Sequence, residues 1–491
     1  AFLDDQDLII EKVNPTDITE YVSENGTKKF EKFTTIINVK DQPGLTHTFY
    51  KSQNGPILPQ NAYNIGQILP EGHKIALNWT GLESNDRSIE VLINNMKAKS
   101  IQEAAKIFHL HTAPAYNLML ADRLNIALFT IGKVPKRNSK HSTKGVFPSA
   151  GWLKSNAWEG YQPYISNPSL KNPPSGIIMN TNNKIVDKEF PFNFSYDWGD
   201  NQRILRLERL LNIREFHSKE SFVEIQNDTI SISARILIPL LGKALWYSQP
   251  INDELEKNLR RKALNLLANW NGEMSIHRPE PLIYAIWTQQ FQQMVLGDEL
   301  GYQTNSFQFL KPDFLERVLK DINGASKWCN IVQTPIIEDC DSIAKSALDD
   351  ALTLIARTYG KEIKDWRWGD ANKAVHIQKT LGHIPILSYF SNISHDMSGG
   401  ANTLSRAKFN QDSTSKFVTN HASSLRAIFD FSSPEDSLFI ISTGQSEHIL
   451  SRHYDDLSEL WRRGQYIPMT MDSELVRSGS AGTMKFSPSA N

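Results

Sequence analysis

Charge of one sign is what this sequence most plainly lacks: 53 basic residues meet 54 acidic ones, a formal net charge of −1 over 491 residues. Nucleic-acid binders carry a basic excess or stripe, and no block of like charge stands out here, so that class is disfavoured. Long apolar runs are missing too; none approaches the roughly 18 residues needed to cross a bilayer. Cysteine is nearly absent, with only Cys329 and Cys340 in the chain. Two thiols with no histidine between them do not complete a four-ligand zinc site. They form either a local disulfide or a pair of inert buried thiols. The Pro-containing loop in "WCNIVQTPIIEDC" favours the disulfide, and with it an oxidising compartment. A signal peptide is also missing. The opening "AFLDDQDLII" lacks a start methionine and begins inside an alternating, strand-like stretch, so a processed or truncated chain is expected, its targeting signal upstream.

What is present reads as a large mixed fold. Apolar residues make up 40% and charged residues 22%, ordinary for a folded chain with a substantial core. "TTIINV" (34–39), the turn "DQPG" and "LTHTFY" (45–50) predict a hairpin. Ile89, Leu92, Ile93 and Met96 at i, i+3, i+4, i+7 predict a helix, and Ser100 with Glu103 has capping-box spacing for a second one. "YNLMLAD" and "NIALFTIG" predict strands. From about 140 to 200 the chain is rich in Gly, Pro, Ser, Asn and aromatics, a long irregular connection of the kind that lines sites. Helices are expected at 201–218, 252–269 and 341–360, with a mainly helical subregion over 252–365. "HIPILSYF", "SSLRAIFDF" and "DSLFIIST" predict a return to short strands. Strands, helices and strands again point to one interwoven unit over 1–491.

Common catalytic signatures are absent: no GxSxG, GxxxxGK[ST], HExxH or GxGxxG occurs. Asp4, Asp5, Asp197 and Asp200 could serve a glycosidase, but no spacing selects a pair. His448 and His453 beside Asp455 and Asp456 do not share a helical face and read as loop histidines. The run "GIIMNTNNKIVDKEF" ends an apolar tripeptide in Asn180, Asn182 and Asn183. That cluster is either turn chemistry or a set of uncharged donors aimed at a ligand.

Several segments, taken in order, resemble the penicillin acylase family of N-terminal-nucleophile hydrolases. They are "DDQDLIIEKVN", "YKSQNGPIL", "AYNLMLADRLNIALFTIGKVPKR", "WRWGDANKAVH", "HIPILSYFSNISHDMSGGANTLSR" and "FIISTGQSEHILSRHYDDLSELWRRGQYIPM". Each is weak alone; together they span nearly the whole chain. The resemblance implies an α+β fold, a four-layer αββα sandwich with an inserted helical region, here N-terminally truncated. It implies hydrolysis of an N-acyl amide such as a β-lactam side chain or an acyl-homoserine lactone. The family's nucleophile is an N-terminal Ser, Thr or Cys whose own amine, with a pKa of about 7.7–8, acts as base. Ala1 has neither hydroxyl nor thiol, so the true start and an α-subunit from the same precursor are expected elsewhere, and this polypeptide alone is expected to be inactive. A bacterial periplasmic or secreted location goes with that reading.

Residue by residue, the resemblance makes Asn182 an oxyanion donor on a strand end and Arg203 a residue that positions nucleophile and substrate. Asp4 and Asp7 match the carboxylates of a calcium site, with Gln6 adding a backbone carbonyl, and Tyr116 falls where the acyl pocket is lined. Asn54, Leu124 and Asn372 depart from the family's usual His, Gly and His. The competing reading is a non-catalytic binding or scaffold protein that keeps this fold.

Overall fold

A computed structural model describes residues 3–62, 65–247, 254–307, 309–411 and 417–488. The chain divides into two compact units, residues 1–199 and 200–491.

The first unit is built on the strand Gln6–Asn14. It pairs antiparallel with His73–Trp79 from Gln6↔Trp79 to Lys12↔His73, and parallel with Ser149–Ala150. Side chains alternate across a strand, so Asp7, Ile9 and Glu11 all point into the interior. Two carboxylates on an inward face must each find partners. The expected hairpin forms as Glu31–Ile37 with Leu45–Ser52, in register at Thr34↔Thr48. "YNLMLAD" and "NIALFTIG" pair as Tyr116–Ala121 and Ile126–Ile131. The Asp122 carboxylate accepts from the backbone N–H groups of Leu124 and Asn125 and closes the turn between them. Leu124 has no positive φ there, so the turn has no need of a glycine.

One expectation in this unit holds with an unforeseen face outward, and one fails. The helix Ser88–Asn95 forms, but Ile89, Leu92, Ile93 and Met96 face solvent while Ser88 and Val91 are buried. Nor is "GIIM" a strand: residues 177–180 join no ladder. Asparagine side chains supply the local bonds instead, Asn180 Oδ1 accepting from Asn182 N (3.1 Å) and Asn183 Oδ1 from Thr181 N (3.1 Å). The Ser100 cap is as expected, accepting from Glu103 N (3.2 Å), while the Glu103 carboxylate reaches Lys99 N rather than closing the box on Ser100.

The second unit packs around the helix Glu280–Leu300, most of whose residues are buried. A helix covered on most sides belongs in a core. Trp287 is fully enclosed and its indole N–H donates to Ala344 O (2.8 Å) on the helix Cys340–Tyr359. Gly360 ends that helix at φ +95°, a conformation glycine adopts without strain. The helical subregion includes Glu254–Ala268; the expected start at 252–253 lies outside the described residues. Cys329 and Cys340 form a disulfide with Cα atoms 5.0 Å apart. The helix expected at 201–218 stops at Asn212, and Ser218 caps a new one, Lys219–Gln226. "HIPILSYF" is not a strand. Pro385 offers no ladder donor, and Leu387–Ser391 forms a short helix with Tyr389 and Phe390 exposed. The other two segments do yield strands, Arg426–Ile428 and Leu438–Ile440.

Candidate active site

In the first unit the inward carboxylates of the first strand organise a buried polar hub. Arg137 sits on the short strand Pro135–Arg137 and grips Asp7 with both faces of its fork, Nε to Oδ2 (2.9 Å) and Nη2 to Oδ1 (2.8 Å). Both side chains are almost wholly buried, and Trp158 Nε1 donates to the same Asp7 Oδ2 (2.7 Å). Arg137 also holds the carbonyl of Asp4 (2.8 Å). Gly145, at φ +81°, leaves room for this pair, since a Cβ there would lie 2.7 Å from Arg137 Nε. Asp4 accepts from the Ser195 hydroxyl (3.0 Å) and from Tyr196 N (3.1 Å). Burial pushes the carboxyls of Asp4 and Asp5 above the usual range and pushes His141 below its own.

These residues do not fit a calcium ion. Calcium takes six to eight oxygen ligands, whereas the groups facing Asp4 and Asp7 are guanidinium, indole, hydroxyl and amide donors. The Gln6 side chain points to the opposite, exposed face of the strand from Asp7, which leaves Gln6 only its backbone carbonyl to offer. Among the described residues no group of three or more His, Cys, Asp or Glu is placed to hold a metal. His448 and His453 behave as loop residues: His448 Nδ1 accepts from Leu450 N, and His453 Nδ1 meets Asp456 Oδ2 (2.7 Å).

Asn182 lies in the same unit, half-buried, at φ +65°. Asparagine is one of the few residues that tolerate this left-handed conformation. Its backbone is held by Asn180, and among the described residues its carboxamide makes no hydrogen bond. Tyr116 starts the Tyr116–Ala121 strand, exposed, with its ring 5.9 Å from that of His111.

Arg203 lies in the second unit, in the first turn of the helix Gln202–Asn212. Burial, then the like charge of Arg406, push its guanidinium down to about 10, with Asp200 opposing; it stays cationic at neutral pH. Asp200 accepts from Asn402 Nδ2 (3.3 Å) and is itself pushed up by burial. Lys408 and His421, register partners on adjacent strands, are held below their usual values by burial and by Arg406. Reading residues singly missed Arg137, Ser195, Arg406 and Lys408. Arg137 and Arg406 do stand at the ends of two family-like segments, "GKVPKR" and "GGANTLSR", the one signal that pointed to them.

The chain is similar to known proteins. Residues 1–478 match the penicillin amidase family. An acyl-homoserine lactone acylase, QuiP, of Pseudomonas syringae pv. tomato is 24% identical over 97% of this chain and 58% of its own length. The penicillin G acylase of Escherichia coli is 26% identical over 75% of this chain and 45% of its own. The chain thus spans about half the length of these relatives, 58% of the first and 45% of the second. The thermostable penicillin G acylase from Alcaligenes faecalis superposes with a TM-score of 0.73 at 17% identity, covering 100% of this chain and 87% of that one, so the mixed helix-and-sheet fold is shared. With a family match over nearly its whole length and a shared fold, this chain belongs to the penicillin amidase family.

Proposed function

We propose that this chain supplies most of the scaffold and one oxyanion donor of an acylase that hydrolyses the linear amide bond of an N-acylated substrate, on a four-layer N-terminal-nucleophile fold. The observation that carries the reading is the carboxamide of Asn182, half-buried and with no hydrogen-bond partner among the described residues. An amide N–H₂ donates without adding charge or a competing base. Aimed where a carbonyl oxygen becomes negative, such a donor stabilises the tetrahedral intermediate more than the substrate, by about 10²–10³ in rate. The Asn180 side chain bonded to Asn182 N supplies a fixed backbone from which to aim.

Arg203 is the positioning cation of this reading, and its retained charge at neutral pH supports that role. Tyr116, exposed at a strand start, lines the acyl pocket. Attack comes from an N-terminal Ser, Thr or Cys with its own α-amine as base, and an α-subunit from the same precursor completes the protein. Relatives named as homoserine-lactone and penicillin acylases support N-acyl amides with an apolar acyl group as substrates. The disulfide supports an oxidising location, the periplasm or the exterior. Among the described residues no helix is long and apolar enough to cross a membrane.

The test is Asn182→Ala in the protein made from its whole gene, assayed on a phenylacetyl amide and on an N-acyl homoserine lactone. The expected result is a fall in kcat of about 10²–10³ with KM nearly unchanged. Unchanged kcat removes Asn182 from the chemistry.

A further inference from the structure

Arg426 is a buried cation with no carboxylate partner among the described residues. It sits on the short strand Arg426–Ile428 in the second unit and is 8% exposed. Nη1 donates to Asn227 Oδ1 (2.7 Å), Nη2 donates to the carbonyl of Trp461, and Nε has no acceptor among the described residues. A guanidinium has five N–H donors, so three are unused. The rings of Trp461 and Tyr466 each lie 5.5 Å from its centre, which favours the cation without neutralising it. No carboxylate among the described residues pairs with it.

The same guanidinium lines a cleft of about 260 Å³. Arg462 and Arg463 also line it. Their carboxylates are shared: Glu459 takes both arginines and Asp396 takes Arg462 at 3.3 Å. Three guanidiniums thus stand against two carboxylates. Thr229, Ser405 and Ser423 complete the polar wall, and none of their hydroxyls has a hydrogen-bond partner among the described residues. Burying a cation without a carboxylate costs several kcal/mol unless something returns the lost interactions. An oxyanion offers both the missing charge and acceptors for the spare N–H and O–H donors.

We propose that this cleft binds a small oxyanion, a carboxylate or phosphate group, between Arg426 and the Ser405 and Ser423 hydroxyls. The amide substrate of the proposed acylase reaction is not required for this binding.

Calorimetric titration of the intact protein with sodium phosphate and with sodium acetate, each against sodium chloride at equal ionic strength, tests the proposal. Saturable binding with a Kd near about 1 mM is expected, with a rise in melting temperature of about 2 °C at tenfold excess. Phosphate binding more tightly than acetate identifies a phosphoryl ligand, and the reverse order a carboxylate. Arg426→Gln should abolish the response. Should that variant not fold, Ser423→Ala, a half-buried position, should weaken binding about fivefold by removing one hydrogen bond. A chloride response equal to the others overturns the proposal, as does an absence of saturation up to about 50 mM or an unaltered Kd in the folded variants.

Discussion

Two helices, one in each unit, treat apolar side chains in opposite ways. In the second unit, Glu280–Leu300 hides most of its large apolar residues, and Trp287, Trp366 and Trp368 are wholly enclosed. In the first, an equally regular pattern ends up outside: Ile89 is 75% exposed, Met96 79% and Phe33 on the hairpin 66%. Its interior holds Asp7, Glu11 and Arg137 beside apolar residues such as Ile9, Ile75, Phe108 and Ile131. Periodicity shows which residues share a face; it says nothing about whether anything covers that face. The first unit therefore relies on polar pairing for part of what the second obtains from apolar packing.

Three substitutions should break that contrast and one should sharpen it. Trp287→Ala in the second unit should cost about 4 kcal/mol, since the cavity cannot collapse against neighbouring helices, read as a lowered urea midpoint. In the first unit Asp7→Asn should cost about 3 kcal/mol although it removes no apolar area, because Arg137 is then buried without its partner. A loss below about 0.5 kcal/mol would show the hub to be dispensable.

Glu11 provides a pH signature. It is fully buried; Oε1 accepts from Ser52 Oγ (2.6 Å) and Asn54 Nδ2 (2.8 Å), and Oε2 has no partner among the described residues. Burial holds its carboxyl above the ordinary 4.5. A folded-state value raised above the unfolded one gives stability that is complete below the unfolded value and lost as pH rises through the folded one. Stability should therefore decline upward from about pH 4.5, and Glu11→Gln should remove that component. Parallel stability curves for the two proteins would contradict this. Smallest of all, Ile89→Glu with Met96→Glu should shift stability by less than about 0.5 kcal/mol while reducing binding of a hydrophobic dye.

Local chemistry was legible wherever one short segment contained the whole cause. The Ser100 cap, the Gly360 helix end, the hairpin at Thr34↔Thr48 and the disulfide are of that kind. Features that depend on a distant partner were not. Asp7 reads as a hard-cation ligand until Arg137, 130 positions away, takes both of its oxygens. "GIIM" reads as a strand until the asparagines after it satisfy the backbone locally. Arg203 showed its helix in sequence but not Arg406 beside it. Asn182 stood out only by resemblance, because nothing in its neighbours distinguishes a free carboxamide from an ordinary turn.

The alternation of Asp7, Ile9 and Glu11 on the opening strand has a consequence for assembly. Sliding that strand by one position would turn Gln6, Leu8 and Ile10 inward and send both acids to water. Leucine and isoleucine would tolerate the interior well, so greasiness alone would hardly reject the slipped pairing. Arg137 would reject it, stranded in the dark with no anion to meet. The acids thus act as a proofreading device, letting the sheet recognise its own correct alignment while the chain folds.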